Sequence, residues 1–450
     1  MTDDVTLLLL FSAATTASWL AVGLIRRVAL TCNVVDVPNE RSSHTIPIPS
    51  CGGLALVGIN LVAWLLYGLG DSAMPQRHVL AFVGGSLILA GVSLADDLGH
   101  VPYPIRLGIQ ALAAIVFMFG FTYWQVLTVP LLGTVSLGKA GIVLSLLWIV
   151  GLTNAFNFMD GIDGLAAGQA VAAGFGWFVL GAIMGHSHLM ILGVVLAATS
   201  LGFLKHNWHP ATIFMGDVGS TFLGYSFAAL AIFETQTDRR VAVAGVLLVW
   251  PIIFDASFTV LRRVLRRETI FAGHRTFLFH RLVAAGWTHR EAASFYFVLP
   301  ILGALLAFTW ARGSPVLHAS VGLFTLAACG ALWITVRCQE RRVLLASVIA
   351  GVFAKDRAVE TIASAAFAAT ISAPLPVNLS WPANRLMARH GSSGVAWSDV
   401  VERRCGFDRR GGVDSPAQSR ARERRSSCGR RSGDALVTAT SATVRLRTGA

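Results

Sequence analysis

The chain has 450 residues, of which 54% are hydrophobic and only 13% charged, and a mean hydropathy of +0.64 excludes a soluble protein with an ordinary polar surface. Six cysteines without CxxC spacing or a pairing pattern imply neither a zinc site nor a disulfide framework. The net charge of +12 draws heavily on arginines near the C-terminus, where no folded module and no interleaved aromatics mark a nucleic-acid surface, so nucleic acid is not an expected partner.

The apolar residues come in runs of about 20, long enough to cross a bilayer as helices and without the alternation of strands. We expect an all-α, polytopic integral membrane protein with about eleven spans. In chain order they are Val5–Ile25, Cys51–Leu69, Val79–Ala95, Ile105–Phe121, Ala140–Leu152, Leu165–Ile183, Leu189–Leu204, Val218–Phe233, Val241–Leu261, Ala292–Trp310 and Val316–Val336. The first run follows Asp3 and Asp4 and precedes Arg26 and Arg27, the reverse of a signal peptide, so it reads as a retained span. Alternation then puts Arg26, Arg27, Arg41, Arg106, Lys205, Arg262, Arg263, Arg266, Arg267, Arg275, Arg281, Arg290, Arg337, Arg341 and Arg342 on one side of the membrane. The other side holds only Arg77, Lys139, Arg239, Arg240 and Arg312, which makes the first side cytoplasmic and the N-terminus external.

Every unusual polar segment falls on that cytoplasmic side: "DVPNERSSH" (36–44), "ADDLG" (95–99), "NAFNFMDGIDGL" (154–165), "KHNWHPATIFMGDVGS" (205–220) and the long loop 262–282. Asp96 and Asp97 close the third span at a helix C-terminus, where the macrodipole disfavours each carboxylate by about 0.3–1 kcal/mol. A hard divalent cation would offset that, while a pair simply exposed at the interface is the plain alternative. Between the fifth and sixth spans, Asp160 and Asp163 share a face if the segment is helical, and Asn154 and Asn157 repeat the spacing; capping of the sixth span is the alternative role. Asp217 stands between Gly216 and Gly219, either capping the eighth span or lying where backbone must approach phosphate oxygens. Arg41, His44, His274, Arg275, His280 and Arg281 face these aspartates from other loops, and carboxylates for a metal with cations for phosphate are the two halves of a phosphoryl-transfer site. His186 and His188 read as solvated loop residues, whereas His206 and His209 could face the site.

From about Arg341 the pattern changes. Val343–Phe353 is too short to span, and Ala373–Ala450 is rich in Arg, Ser, Gly and Pro without periodicity, as in a disordered tail. The expected organisation is therefore a membrane domain over residues 1–342 and a cytoplasmic extension over 343–450. That extension is a solvated or lipid-touching basic tail, a nucleic-acid arm, or the product of a reading-frame change; the first fits the charge best.

In this order and on one side, "DVPNERSSHTIPIPSCGG", "ADDLG", "NAFNFMDGIDGLAAG", "FLKHNWHPATIFMGDVGSTFLGY" and the histidine-bearing last loop resemble the polyprenyl-phosphate N-acetylhexosamine-1-phosphate transferases. The resemblance covers roughly residues 1–342 and is strongest to the branch that starts O-antigen or other polysaccharide synthesis, as in "RLVAAGWTH" (281–289). It implies transfer of a sugar-1-phosphate from a UDP-N-acetylhexosamine to undecaprenyl phosphate, giving UMP and a lipid-linked diphosphate sugar, with Mg²⁺ or Mn²⁺. It also implies a bacterial inner-membrane location, contact with membrane lipids and a homodimer as the oligomeric expectation.

By that resemblance Asp96, Asp97, Asp160 and Asp163 are catalytic, and Asp97 and Asp217 hold the metal. Arg41, His44, Asn154, Asn157, Lys205, Asn207, His274, Arg275, His280 and Arg281 bind substrate. Two positions depart from the family pattern. The first inner loop ends "PIPSCGG" instead of Pro-x-Pro-Arg-Gly-Gly-Gly, with Ser50 and Cys51 replacing Arg and Gly, and Phe277 stands where the related branch often has histidine. A histidine run typical of phospho-N-acetylmuramoyl-pentapeptide transferases is absent from the last loop. The alternatives are that muramoyl reaction within the class and, outside it, a transporter or flippase for an anionic lipid, which would place its ionisable groups nearer the midplane.

Overall fold

The computed structural model describes residues 4–38, 46–70, 74–130, 132–236, 238–269 and 274–372. The chain falls into two units, Met1–Ile362 and Ala363–Ala450, and the membrane bundle with its polar loops belongs to the first. The expectation of a disordered tail over Ala373–Ala450 lies outside the described residues, as do Arg41 and His44.

The apolar runs are helices, because inside a bilayer only a helix satisfies each backbone N–H and C=O within its own segment. They are α1 (Asp4–Thr31), α2 (Gly53–Gly70), α3 (Gln76–Leu98), α4 (Tyr103–Gly120), α5 (Ala140–Met159), α6 (Leu165–Met184), α7 (Ser187–Asn207) and α8 (Gly216–Phe233). There follow α9 (Val241–Leu248), α10 (Trp250–Leu265), the short α11 (Leu278–Ala284), α12 (His289–Arg312) and α13 (Pro315–Ser372). Among the described residues ten helices are long and apolar enough to cross a membrane, or eleven with the bent pair α9 and α10, in line with the expected spans. The chain is an all-α multi-pass membrane protein.

Two spans and one shorter apolar stretch differ from their expected form. Instead of one straight span over Val241–Leu261, α9 and α10 meet at 74°. Pro251 enters the first turn of α10 and has no N–H for the preceding turn, so the helix breaks at Val249. Helix α5 runs on past Leu152 to Met159, carrying Asn154 and Asn157 on its last turns, and the turn over residues 160–164 that follows is not helical. The stretch Val343–Phe353, too short to span alone, belongs to the continuous α13.

Helix α8 is the centre of the bundle: 83% of its apolar window is buried, against 17% for α1. Lipid gives helices no hydrophobic reason to associate, so close packing and interhelical hydrogen bonds hold them. Ser93 on α3 bonds Thr221 on α8 at 2.9 Å, and Asn60 on α2 donates to Thr199 on α7 at 2.9 Å. Trp124 and Trp148 donate their indole N–H groups to Ala231 and Ala228 carbonyls of α8. Aromatic rings fill the space between, with Trp64 and Phe82 stacked at 3.9 Å.

Two small antiparallel sheets add to the expected helices. Strands β1 (Val35–Asp36) and β2 (Ile48–Pro49) pair Val35 with Pro49, and β3 (Val126–Val129) pairs β4 (Gly133–Ser136). The β1–β2 hairpin helps to build the polar end of the bundle. Pro49 accepts from Phe214 N–H at 2.8 Å, while Gly52 and Gly53 donate to the Phe214 and Met215 carbonyls, so the first loop docks on the loop that opens α8.

A second anchor lies across the molecule. Asp255 of α10 is fully buried and accepts from Leu278 N–H at 2.7 Å, Phe279 N–H at 3.3 Å, Tyr296 O–H at 2.8 Å and Thr259 O–H at 3.3 Å. One carboxyl group thereby fastens the start of α11 to α10 and α12. Asp255→Ala leaves two buried amides unpaired and should cost about 3–5 kcal/mol, whereas Tyr296→Phe should cost about 1.5–3 kcal/mol. Thermal unfolding of the detergent-solubilised variants, with amide exchange over residues 277–284, checks both.

Candidate active site

The aspartates meet where α3 ends and α8 begins. Asp97, one residue before the end of α3, accepts the backbone N–H groups of Asp217 at 2.7 Å and Val218 at 3.1 Å. Its carboxylate therefore leaves the negative end of one helix dipole and enters the positive end of another. Asp217 does not cap α8 as its position suggests; Asp97 does so from a different helix. Gly216 is required on two counts. Its φ of +74° suits glycine, and a Cβ there would lie 2.6 Å from Asp97 Oδ2.

Asp217 is left free to look outward. Its Oδ1 accepts from Asn157 Nδ2 at 2.8 Å and its Oδ2 from Arg106 at 2.9 Å. The same guanidinium nitrogen contacts Asp96 Oδ2, while Asp96 Oδ1 accepts from Val101 N–H at 2.8 Å. Arg106, in the sequence only one loop charge among many, is thus the cation that bridges Asp96 and Asp217.

A cavity of about 750 Å³ opens beside this network. It is lined by Asp97, Asn157, Asp160, Asp163, Asn207 and Asp217, by His274, Arg275 and His280 from the loop before and within α11, and by Ser50 and Phe214. Nine of the site residues expected from the sequence are thus gathered around one cavity. Its lining does not include Asp96, Asn154, Lys205 or Arg281. Asn154 turns to Gln110 on α4 at 2.6 Å. Lys205 lines a separate apolar groove with Trp19 and Trp208. Arg281 is bound in a fork by Glu340 of α13 at 2.7 and 2.8 Å. Asn207 lines the cavity with its internal bonds made, accepting from Gly164 N–H and donating to the Ile213 carbonyl.

The two aspartates of the 160–164 turn have opposite environments. Burial raises the Asp160 carboxyl well above its ordinary range, and Asp217, Asp97 and Asp163 raise it further. Burial would raise Asp163 too, but His289, His209 and the Ala211 N–H outweigh that and hold it below the usual carboxylate range. In the segment from His274 to His280, burial first and then Arg275 push His280 down to about 3, and burial with Arg263 pushes His274 down to about 4. Both imidazoles are neutral at physiological pH, so Arg275 carries the positive charge of this segment. A Cβ on Gly161 would lie 2.9 Å from the His280 ring, so His280 packs directly on the acidic turn.

Cys51 explains one departure from the family pattern in structural terms. Its φ is +69°, a left-handed conformation that favours the glycine it replaces. Burial and then Asp97 raise its thiol to about 11, so it is no nucleophile at neutral pH.

The residues fit a divalent cation. Asp97, Asp160 and Asp217 bring oxygen donors to the cavity lining, and the carboxylate charges that add to burial in raising Asp160 are an excess that a hard ion neutralises.

The region from residue 79 to residue 235 matches the family model described as glycosyl transferase family 4. The chain is 34% identical over 289 residues to a probable undecaprenyl-phosphate N-acetylglucosaminyl 1-phosphate transferase of Bacillus subtilis (strain 168), covering 63% of this chain and 79% of that protein. It is 30% identical over 363 residues to a decaprenyl-phosphate N-acetylglucosaminephosphotransferase of Mycobacterium tuberculosis (strain CDC 1551 / Oshkosh), covering 74% and 85%. A phospho-N-acetylmuramoyl-pentapeptide-transferase of Anoxybacillus flavithermus (strain DSM 21510 / WK1) is 30% identical over 275 residues, covering 57% and 82%.

A carboxyl raised above its unfolded value penalises folding only above that value, about 4, and the penalty grows as pH climbs toward the raised pKa. Asp160→Asn should therefore raise the melting temperature by a few degrees near pH 8, with the gain vanishing below about pH 4. Mg²⁺ should stabilise the parent protein and stabilise this variant less. Melting curves across pH, with and without Mg²⁺, measure both effects.

Proposed function

The chain belongs to the polyprenyl-phosphate N-acetylhexosamine-1-phosphate transferases of glycosyl transferase family 4, and from that premise we propose that its substrates are a UDP-N-acetylhexosamine and undecaprenyl phosphate. The observation that carries the proposal is the cavity itself. Its lining combines carboxylates with Arg275 and two neutral histidines, the two kinds of group that a metal-assisted diphosphate site requires.

In the reaction, an oxygen of the lipid phosphate attacks the sugar-bearing phosphorus of the UDP-sugar. A new P–O–P bond forms, the old one breaks, and UMP leaves with the bonding electrons. One anhydride replaces another, so the site needs little thermodynamic drive. Its tasks are to align two anions that repel each other and to keep water out. Asp217 with Asp97, and with Asp160 at hand, would hold a divalent cation, which when bound would supply charge neutralisation for a diphosphate. Asp97 keeps α8 and hence Asp217 in place. Asn157 orients the Asp217 carboxylate, Arg275 meets phosphate oxygens, and the uncharged His274 and His280 offer hydrogen bonds without adding charge. Asp96, held by Arg106 and Val101, sets the position of the cation partner Arg106. The proposed role of Arg281 becomes positional, fixing α11 to α13 through Glu340.

The positive-inside count supports placing this end of the bundle in the cytoplasm, the N-terminus outside, and the protein in the bacterial inner membrane. We further propose that residues 1–342 form the transferase domain, that N-acetylglucosamine is the sugar, and that the product primes an O-antigen or other surface polysaccharide. The missing histidine run in the last loop favours this reading over the muramoyl reaction. The position of the aspartates at helix ends, not along the middle of spans, disfavours a transporter.

The test is transfer of labelled sugar phosphate from a panel of UDP-N-acetylhexosamines to undecaprenyl phosphate by the purified protein. Chloroform-extractable product with one donor, abolished by EDTA, is expected. Asp217→Asn should lower turnover by about 10³-fold or more with the fold retained, and Gly216→Ala by about 10²-fold through displacement of Asp97. Normal turnover in Asp217→Asn would overturn the assignment.

A further inference from the structure

Beside the aspartate cluster, three side chains meet that no sequence pattern joins. Asp163 comes from the turn between α5 and α6, His209 from the loop between α7 and α8, and His289 opens α12. His209 Nδ1 lies 2.6 Å from Asp163 Oδ2, and His289 Nδ1 lies 3.6 Å from Asp163 Oδ1. One ligating atom from each residue lies within 4.8 Å of the other two, and the imidazole rings stand 5.3 Å apart.

Two further observations point to a ligand. His289 Nδ1 is buried, and Asp163 Oδ1 at 3.6 Å lies beyond hydrogen-bond distance from it, which suits two ligands of one ion better than a direct hydrogen bond. The donors are also held in place. Ala211 N–H donates to Asp163 Oδ2 at 3.1 Å, and a capping box between Thr288 and Glu291 fixes the turn that carries His289. The His209 side chain is 40% exposed, which leaves a route from solvent.

We propose that Asp163, His209 and His289 form a Zn²⁺ site, separate from the cation site of the aspartate cluster. Zinc binds imidazole nitrogen and carboxylate oxygen at about 2.0–2.2 Å, so ligand atoms around a tetrahedral ion lie about 3.4 Å apart. The 3.6 Å between His289 and Asp163 already meets that spacing. The closer His209 opens by less than 1 Å, roughly, as the proton it shares with Asp163 leaves to solvent. Water completes the fourth position. Two imidazoles select zinc over magnesium, whereas the all-oxygen cluster next door selects the reverse. The ion ties two loops to the start of α12, and because Asp163 also lines the substrate cavity, it does so at the cavity lining.

The experiment uses the full chain in detergent, loaded with Zn²⁺ alone and dialysed against a weak chelator. Zinc content, the visible spectrum of the Co²⁺ form and melting temperature are then read in the parent protein and in His209→Gln, His289→Gln and Asp217→Asn. The expected result is one more zinc per chain in the parent and in Asp217→Asn than in either histidine variant, with a tetrahedral Co²⁺ spectrum lost in both. His209→Gln, at an exposed position, keeps the test valid if His289→Gln folds poorly. Equal zinc content in the parent and in folded His209→Gln would overturn the proposal, as would zinc lost in Asp217→Asn and kept in both histidine variants.

Discussion

Everything at the active end of this molecule depends on one carboxylate accepting two amides. Asp97 closes α3, where a negative charge is unwelcome, and caps α8, where it is favoured. The contact sets the distance between two helices, forces a glycine at position 216, and turns Asp217 outward toward Asn157 and Arg106. An isolated helix N-terminus is ordinarily capped by a residue just before it. Here the cap comes from 120 residues away, so helix packing and site geometry are the same interaction.

The histidine-bearing segment depends on Asp255 in a similar way. That buried carboxyl gathers α10, α11 and α12 around itself and holds the histidine loop against the acidic turn. The two groups of lining residues differ in charge. Burial, reinforced by neighbouring carboxylates, drives Asp160 up, while burial strips His274 and His280 of charge and leaves Arg275 as the cation. The bend at Pro251 is what allows α10 to swing under this loop instead of continuing α9.

The spans are legible in the sequence because lipid demands long apolar helices, and the polar motifs are legible because so few polar residues interrupt them. What stays hidden there is the choice of partners. Asn154 and Asn157 have the same residue type and lie on one face of one helix, yet one bonds Gln110 of α4 and the other Asp217 of α8. Arg106 and Arg281 look alike as loop cations, but one enters the aspartate network and the other pairs with Glu340. Asp255 falls inside an expected span, and a single acid in an apolar run is the signal that could have marked it. The histidines at 209 and 289 carry no spacing signal, because their common partner sits on a third loop.

The central claim is that a divalent cation and a nucleotide sugar occupy this cavity together. It is tested most directly by ³¹P resonance of a UDP-N-acetylhexosamine bound to the purified protein as Mn²⁺ replaces Mg²⁺. Broadening of both phosphate signals in the parent protein, and its loss in Asp217→Asn with binding of the nucleotide retained, is the predicted result. Sharp phosphate signals in the presence of bound Mn²⁺ would contradict it, because the metal and the diphosphate would then lie in different places.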